Sequence, residues 1–391
     1  MLYLLIIIYL IALIYFFDYK NIKSRYKIVH YNVLLVILVL VSGLRYRMAP
    51  DSVAYMDNFK NLIVPLSELN MESFTESRYQ PFWILINSFC KSFGSYVLLQ
   101  IICAYILNIC VFYFFKKTTT KIFTCILFYF LVDYFYFNME IVRESLAIGI
   151  FLLAMIKYNE KKIFKAYLLI FIAFLFHHFA AILFIVPLFL TDRISLKYKL
   201  LFLVSILLFL FSLGSPLALI EPYLDKFSTL DVSVYDLADF DISLFGYIYT
   251  AFKIIPIVVV IFIYRKRDIP NIYFKKKTLY LLSFLYIFIM IIRITTIPFI
   301  ERFSNYFIFF VILLLTGAMF DIIEKKMVKS LRFCSILTIS TLCFLFQVFP
   351  YLEINPMFGV PLYKRYYPYY SVLSEKTDPE REFITEMEAK E

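Results

Sequence analysis

The chain is poor in the residues on which soluble enzymes of its length rely. Of 391 residues, 7 are glycine, 3 are histidine, 1 is tryptophan, and 17% are charged. No glycine-rich phosphate loop, G-x-S-x-G elbow, H-E-x-x-H helix or Cys/His metal cluster occurs. Chemistry driven by ATP or a nucleotide sugar on the cytoplasmic side therefore has no visible machinery, and neither a metal nor a cofactor is expected. The cysteines (Cys90, Cys103, Cys110, Cys125, Cys334 and Cys343) lie in apolar blocks without a C-x-x-C pair, so they read as small buried hydrophobes. The short alternating segments of a membrane β-barrel are also missing.

What is present is apolar mass: 62% hydrophobic residues, with 46 Phe and 33 Tyr. No soluble core of this size needs so much, and the bilayer is its natural solvent. Backbone polar groups in lipid must be satisfied within the segment, which makes the spans helices. Apolar blocks fall near 2–17, 31–44, 81–115, 122–137, 144–157, 163–176, 178–191, 198–213, 247–264, 278–292, 303–320 and 333–350. Met1–Phe17 lacks a basic leader and a small-residue cleavage site, so it reads as a retained span. The block 81–115 is too long for one crossing and is broken by "KSFGS", Lys91 to Ser95. It reads as a short interfacial or re-entrant helix followed by one span. Several other blocks fall short of the roughly 20 residues of a full crossing, so tilted or half-length helices are expected.

The net charge of +10 is concentrated in connections, not along an amphipathic face, which argues against nucleic acid. "KNIKSRYK", "KKTTTK", "KYNEKKIFK", "RISLKYK", "RKRDIPNIYFKKK" and "EKKMVKSLR" recur at every second connection. The positive-inside rule places all six in the cytoplasm. The expected fold is an all-α polytopic membrane domain over residues 1–350, with about 12 crossings and both termini outside. External loops fall near 45–80 and 214–246, and an external tail covers 351–391. The second loop is acidic and includes a D-x-D at Asp239 and Asp241, which reads as a solvated loop before it reads as a metal site.

This topology collects unusual residues at the outer face: Arg45, Arg47 and Asp51 after the second span, Arg143 and Glu144, His177 and His178 in "FLFHHFAAILF", and Arg293, Glu301 and Arg302. "RYYPYY", Arg365 to Tyr370, follows the last span on the same side. A lone arginine at a span boundary is ordinarily a snorkelling anchor. Several that converge on one external cavity make an anion site, because the planar guanidinium fork suits phosphate. A histidine there supplies a proton acceptor near neutral pH. Tyr366, Tyr367 and Tyr370 either anchor at the interface or stack on sugar faces.

At these residues the chain resembles the EpsG family of bacterial envelope polysaccharide proteins, which are related to the Wzy polymerases. "LRYRMAPDSVAY" carries its opening signature at Leu44, Arg45, Tyr46, Asp51 and Tyr55. "VRESLA" matches at Arg143, Leu146 and Ala147, and "FHHFA" selects His177 over His178. "RFSNYF" matches at Arg302, Tyr306 and Phe307, and a closing Pro-Tyr falls at Pro368 and Tyr369. Departures are Ala49 for Gly, Ser52 for Tyr, Glu144 for Gln, and Gln80 where the family often has a glutamate.

The resemblance implies a GT-C-like helical fold in the bacterial plasma membrane, with an active site that faces the periplasm or cell exterior. The implied substrate is an oligosaccharide repeat unit on undecaprenyl diphosphate. The growing glycan would pass from its lipid diphosphate to the non-reducing end of another lipid-linked unit. A chain-length regulator and a flippase are the expected protein partners. In this reading Arg143 and Arg302 bind the donor diphosphate. Arg45 binds the same anion or orders its loop. His177 is the general base, Asp51 orients a group or binds sugar, and Tyr55, Tyr306 and Tyr369 line the substrate site. The competing classes are a flippase for the same lipid-linked unit and a membrane acyltransferase that modifies the polysaccharide.

Overall fold

The computed structural model describes residues 1–75, 77, 79–191, 195, 198–199, 244–264, 269–295, 300–326 and 359–388. The expected spans at 198–213 and 333–350, the acidic loop with Asp239 and Asp241, Cys334 and Cys343 lie outside the described residues. Every named element is helical, and the strand-like pairings among the described residues are two isolated bridges, Arg45 with Ser371 and Thr119 with Ile272.

The chain divides into two compact units. The first comprises Met1–Ala181, Asn271–Tyr273 and Met319–Glu391; the second comprises Ile182–Pro270 and Phe274–Ala318. In the first unit, α1 is Leu2–Leu13, continued by a π-type stretch Ile14–Tyr19. There follow α2 (Tyr26–Gly43), α3 (Pro50–Asn61), α4 (Pro81–Ser92), α5 (Tyr96–Thr118), α6 (Ile122–Val132), α7 (Val142–Asn159) and α8 (Ile163–Phe176). α9 (Ile185–Leu190), α10 (Leu244–Ile263) and α11 (Lys276–Thr295) belong to the second unit. α12 (Ile308–Lys326) runs from the second into the first, and α13 (Pro379–Glu388) closes the described chain.

Three helical stretches among the described residues are long and apolar enough to cross a bilayer: Leu2–Tyr19, Tyr26–Gly43 and Tyr96–Thr118. Shorter apolar helices include Ile122–Val132, Ile163–Phe176 and Ile308–Asp321. The break inside 81–115 has a local cause. Gly94 takes a left-handed conformation (φ +66°) after α4, and the Ser95 hydroxyl accepts from the Leu98 amide (3.1 Å) to start α5.

α5 is the central element of the first unit, packed against α2 and α7. Small residues allow the approach. A Cβ added at Gly43 would lie 3.0 Å from the Ile101 Cα, and one at Gly149 would lie 3.2 Å from the Cys110 Cβ. Polar groups in the interior satisfy one another. Asn108 donates to the Asn138 carbonyl oxygen (2.7 Å), Asn138 donates to the Tyr129 hydroxyl (2.8 Å), and that hydroxyl donates back to Asn108 (3.3 Å). All three residues are buried, so the closed ring leaves little desolvation cost uncompensated.

The two ends of the first unit differ in chemistry. At one end, buried Asp18 accepts from the Thr124 amide (2.7 Å) and hydroxyl (2.9 Å), while Lys121 donates to the Asp18 carbonyl (2.7 Å). Thr120 donates to the Asn271 carbonyl (3.0 Å), and Tyr273 donates to that of Thr118 (2.8 Å). Stretches in or beside three of the basic connections thus meet there. At the other end, Tyr3 donates to the Tyr366 carbonyl (2.8 Å), Tyr46 to that of Tyr370 (3.0 Å), and Val372 to that of Leu44 (2.8 Å). The loop between α2 and α3 and the tail are therefore zipped together.

Gly43→Val should force α2 off the Ile101 backbone. The expected result is a thermal midpoint several degrees lower in detergent, whereas Gly94→Asn, in open space at a position asparagine tolerates, should leave it nearly unchanged.

Candidate functional site

Proline at the first position of a helix costs no hydrogen bond and pre-sets its φ. Pro50 and Pro81 start α3 and α4 in this way, which fixes Asp51 and Gln80 at two helix starts. Asp51 is exposed in the first turn of α3, where the helix dipole favours a carboxylate. One turn on, Tyr55 packs on Trp83 of α4 (ring centroids 5.3 Å apart).

Gln80 is the junction of the site. Its side-chain oxygen accepts from Arg143 Nη1 at the start of α7 (3.4 Å), and its amide nitrogen lies 3.3 Å from His178 Nδ1. His178 in turn stacks on His177 (centroids 4.8 Å, planes 23° apart). His177 is buried at 4% exposure, whereas His178 is only partly buried. The guanidinium carbon of Arg143 sits 4.9 Å from the centre of the Tyr79 ring, whose hydroxyl accepts from Asn58 of α3 (2.6 Å). Residues of α3 and of the turn after α8 are thus linked to the Arg143 cation through Tyr79 and Gln80. Arg143 makes no ion pair among the described residues, and its buried Nε has no hydrogen-bond partner.

The other described arginines of this end are committed to the fold. Arg45 is 2% exposed and donates to the Ser42 carbonyl (2.5 Å) and the Ser52 hydroxyl (3.2 Å). Burial lowers its pKa from the ordinary value. Arg47 donates both arms of its fork to Glu382 of α13 (2.9 and 2.5 Å), and this bond raises its pKa. Arg365 faces Glu140 at 3.4 Å, and Tyr366 also hydrogen-bonds that carboxylate. Arg381, 1% exposed, donates to the carbonyls of Lys364 (3.0 Å) and Pro368 (2.5 Å) and lies over the Tyr370 ring. Tyr369 lies near Tyr3 (6.1 Å between centroids), and burial raises its pKa.

The expected residues therefore fall into four groups, the first being Asp51 and Tyr55 on α3. Arg143, His177 and His178 share the Gln80 cluster. Arg45 and Tyr369 belong to the junction of first loop and tail. Arg302 and Tyr306 lie in the second unit, where Tyr306 is buried and Arg302 follows Glu301, itself paired with Arg293 (2.9 Å) and Lys253 (3.9 Å). Tyr79, Asn58, Glu140 and Glu382 carry the geometry without any sequence signal of their own. Gln80 did carry one, as a departure from the family pattern. Among the described residues no group of His, Cys, Asp and Glu is arranged to hold a metal.

Arg381→Ala should release the tail without unfolding the helices. Limited proteolysis should cut within 359–388 several-fold faster while the thermal midpoint of the membrane part changes little; an unchanged cutting rate would contradict the docking.

Among comparisons with known proteins, the sequence model of the EpsG family matches residues 28–371. No curated protein and no solved structure matches significantly.

Proposed function

The chain belongs to the EpsG family, a family of Wzy-like polymerases, and from that premise we propose that it elongates a cell-envelope polysaccharide. Its substrate is an oligosaccharide repeat unit on undecaprenyl diphosphate, at the outer face of the plasma membrane. The hydroxyl at the non-reducing end of one lipid-linked unit attacks the anomeric carbon of the growing glycan. The bond from that carbon to the diphosphate oxygen breaks, the hydroxyl proton passes to a histidine, and undecaprenyl diphosphate leaves.

The observation that carries this reading is the state of Arg143: a cation held by a ring face and a neutral amide, with no carboxylate partner among the described residues. A guanidinium so placed is preorganised for charge that develops on a leaving diphosphate. The histidine pair beside it supplies the proton acceptor. The family signature points to His177, and exposure points to His178. Asp51 and Tyr55 stand on α3, whose Asn58 holds Tyr79 beneath the cation, and serve as sugar contacts. The committed partners of Arg45 support the loop-ordering role for it over the anion-binding one. A role for Arg302, Tyr306 and Tyr369 in binding substrate rests on the family signature.

Arg143→Ala should abolish polymer in cells at normal protein abundance, and Arg143→Lys should restore little, because lysine lacks the fork. Of His177→Ala and His178→Ala, the one that removes the base should cost about 10²–10⁴-fold in rate. A deletion strain should accumulate single repeat units on the outer side. Accumulation inside would instead indicate a flippase, and normal chain length with lost acyl groups would indicate an acyltransferase.

A further inference from the structure

The loop that follows α3 roofs a cavity of about 560 Å³, within the range of small-molecule sites. Its walls combine two kinds of surface. Leu62, Ile63, Val64 and Leu69 are apolar and come from the loop; Ile84 and Ser88 come from one face of α4, four residues apart. Tyr79 closes one side, so the cavity adjoins the ring on which Arg143 rests.

The surround is built to hold its shape. Lys91 donates to the carbonyls of Phe59 and Lys60 (2.8 and 2.9 Å), which pins the last turn of α3 to α4. Leu66 donates to the Ser92 hydroxyl (3.0 Å), and Asn70 accepts from the Ser73 amide (2.8 Å) to start a one-turn helix at Glu72–Thr75. Ser88 is 1% exposed, and its hydroxyl makes no hydrogen bond to the protein. Ser92, one turn on, donates to the Ser88 carbonyl (3.0 Å). The same back-bond lay open to Ser88, toward Ile84, and is not made.

We propose that this cavity is a subsite for an uncharged sugar residue of the glycan. The proposal rests on the polymerase reading above. Hydroxyl and amide groups of Ser73, Ser77 and Asn70 suit sugar hydroxyls, and the apolar walls suit a sugar's C–H face. Among the described residues Glu72 is the charged side chain of the lining, and it repels uronic acids. The subsite holds one sugar of a lipid-linked unit while its diphosphate or hydroxyl end lies toward Arg143.

The test uses the full-length protein in lipid nanodiscs and the fluorescence of Trp83, the single tryptophan and the neighbour of Ile84. The probes are galactose, glucose and N-acetylglucosamine, each against the matching uronic acid where one exists. At least one neutral sugar should give a saturable change, and the uronates should give none. Ser77→Ala should weaken the apparent affinity about five- to tenfold while the thermal midpoint changes little. Ile84→Phe should abolish the response by filling the space. No saturable response from the unaltered protein, or equal responses from both variants, would overturn the subsite and leave a merely hydrated cavity. If Arg143→Ala still stops polymer in cells in that case, the polymerase reading survives. If the sugar response appears while Arg143→Ala makes normal polymer, that reading fails and a carbohydrate site remains.

Discussion

The cation–π and amide contacts of Arg143 are the interaction from which the functional account follows. A guanidinium at a membrane protein's end is ordinarily neutralised by a carboxylate or left to snorkel into water. Arg143 meets no carboxylate among the described residues: Tyr79 supplies a ring face, and Gln80 supplies one neutral oxygen. Such partners orient the charge without cancelling it, so it remains available to an anion. The neighbouring arginines show the contrast within one molecule, since Arg47 and Arg365 have glutamates and Arg45 has a carbonyl and a hydroxyl.

That arrangement depends on the fold at a distance. Tyr79 is steadied by Asn58 of α3, and α3 is held by the Lys91 cap on its final carbonyls. The loop that leads into α3 is zipped to the tail, and the tail is clamped by Arg381 and by Glu140, three residues ahead of Arg143. The tail thus acts as a strap over the loop and the start of α7. Below it, α2, α5 and α7 approach closely through Gly43 and Gly149, and a closed ring of Asn108, Asn138 and Tyr129 keeps buried polar groups paired.

Much of the helix layout is legible in the sequence because spans are long apolar blocks. α5, α7 and α8 lie where the blocks at 81–115, 144–157 and 163–176 predict them, and the break at "KSFGS" is Gly94 and Ser95 chemistry. α3 and α13 escape that reading, since both are polar surface helices without an apolar block. Arg143 and the histidines stand out as ionisable residues at span ends. Their connection does not, because Gln80 is 63 residues from Arg143 and 98 from His178. A neutral glutamine carries no charge pattern to mark it. Arg45 shows the converse: it matches a family signature, yet its side chain is consumed by local structure.

The central claim is that this protein joins lipid-linked glycans without an activated nucleotide donor. Its most direct test is conversion of a synthetic undecaprenyl-diphosphate repeat unit by the purified protein in nanodiscs, resolved by mass spectrometry. The account predicts lipid-linked dimers and longer chains, with one undecaprenyl diphosphate released per linkage and no nucleotide sugar present. Repeat units left unchanged by a folded protein, or elongated only when a nucleotide sugar is added, would contradict it.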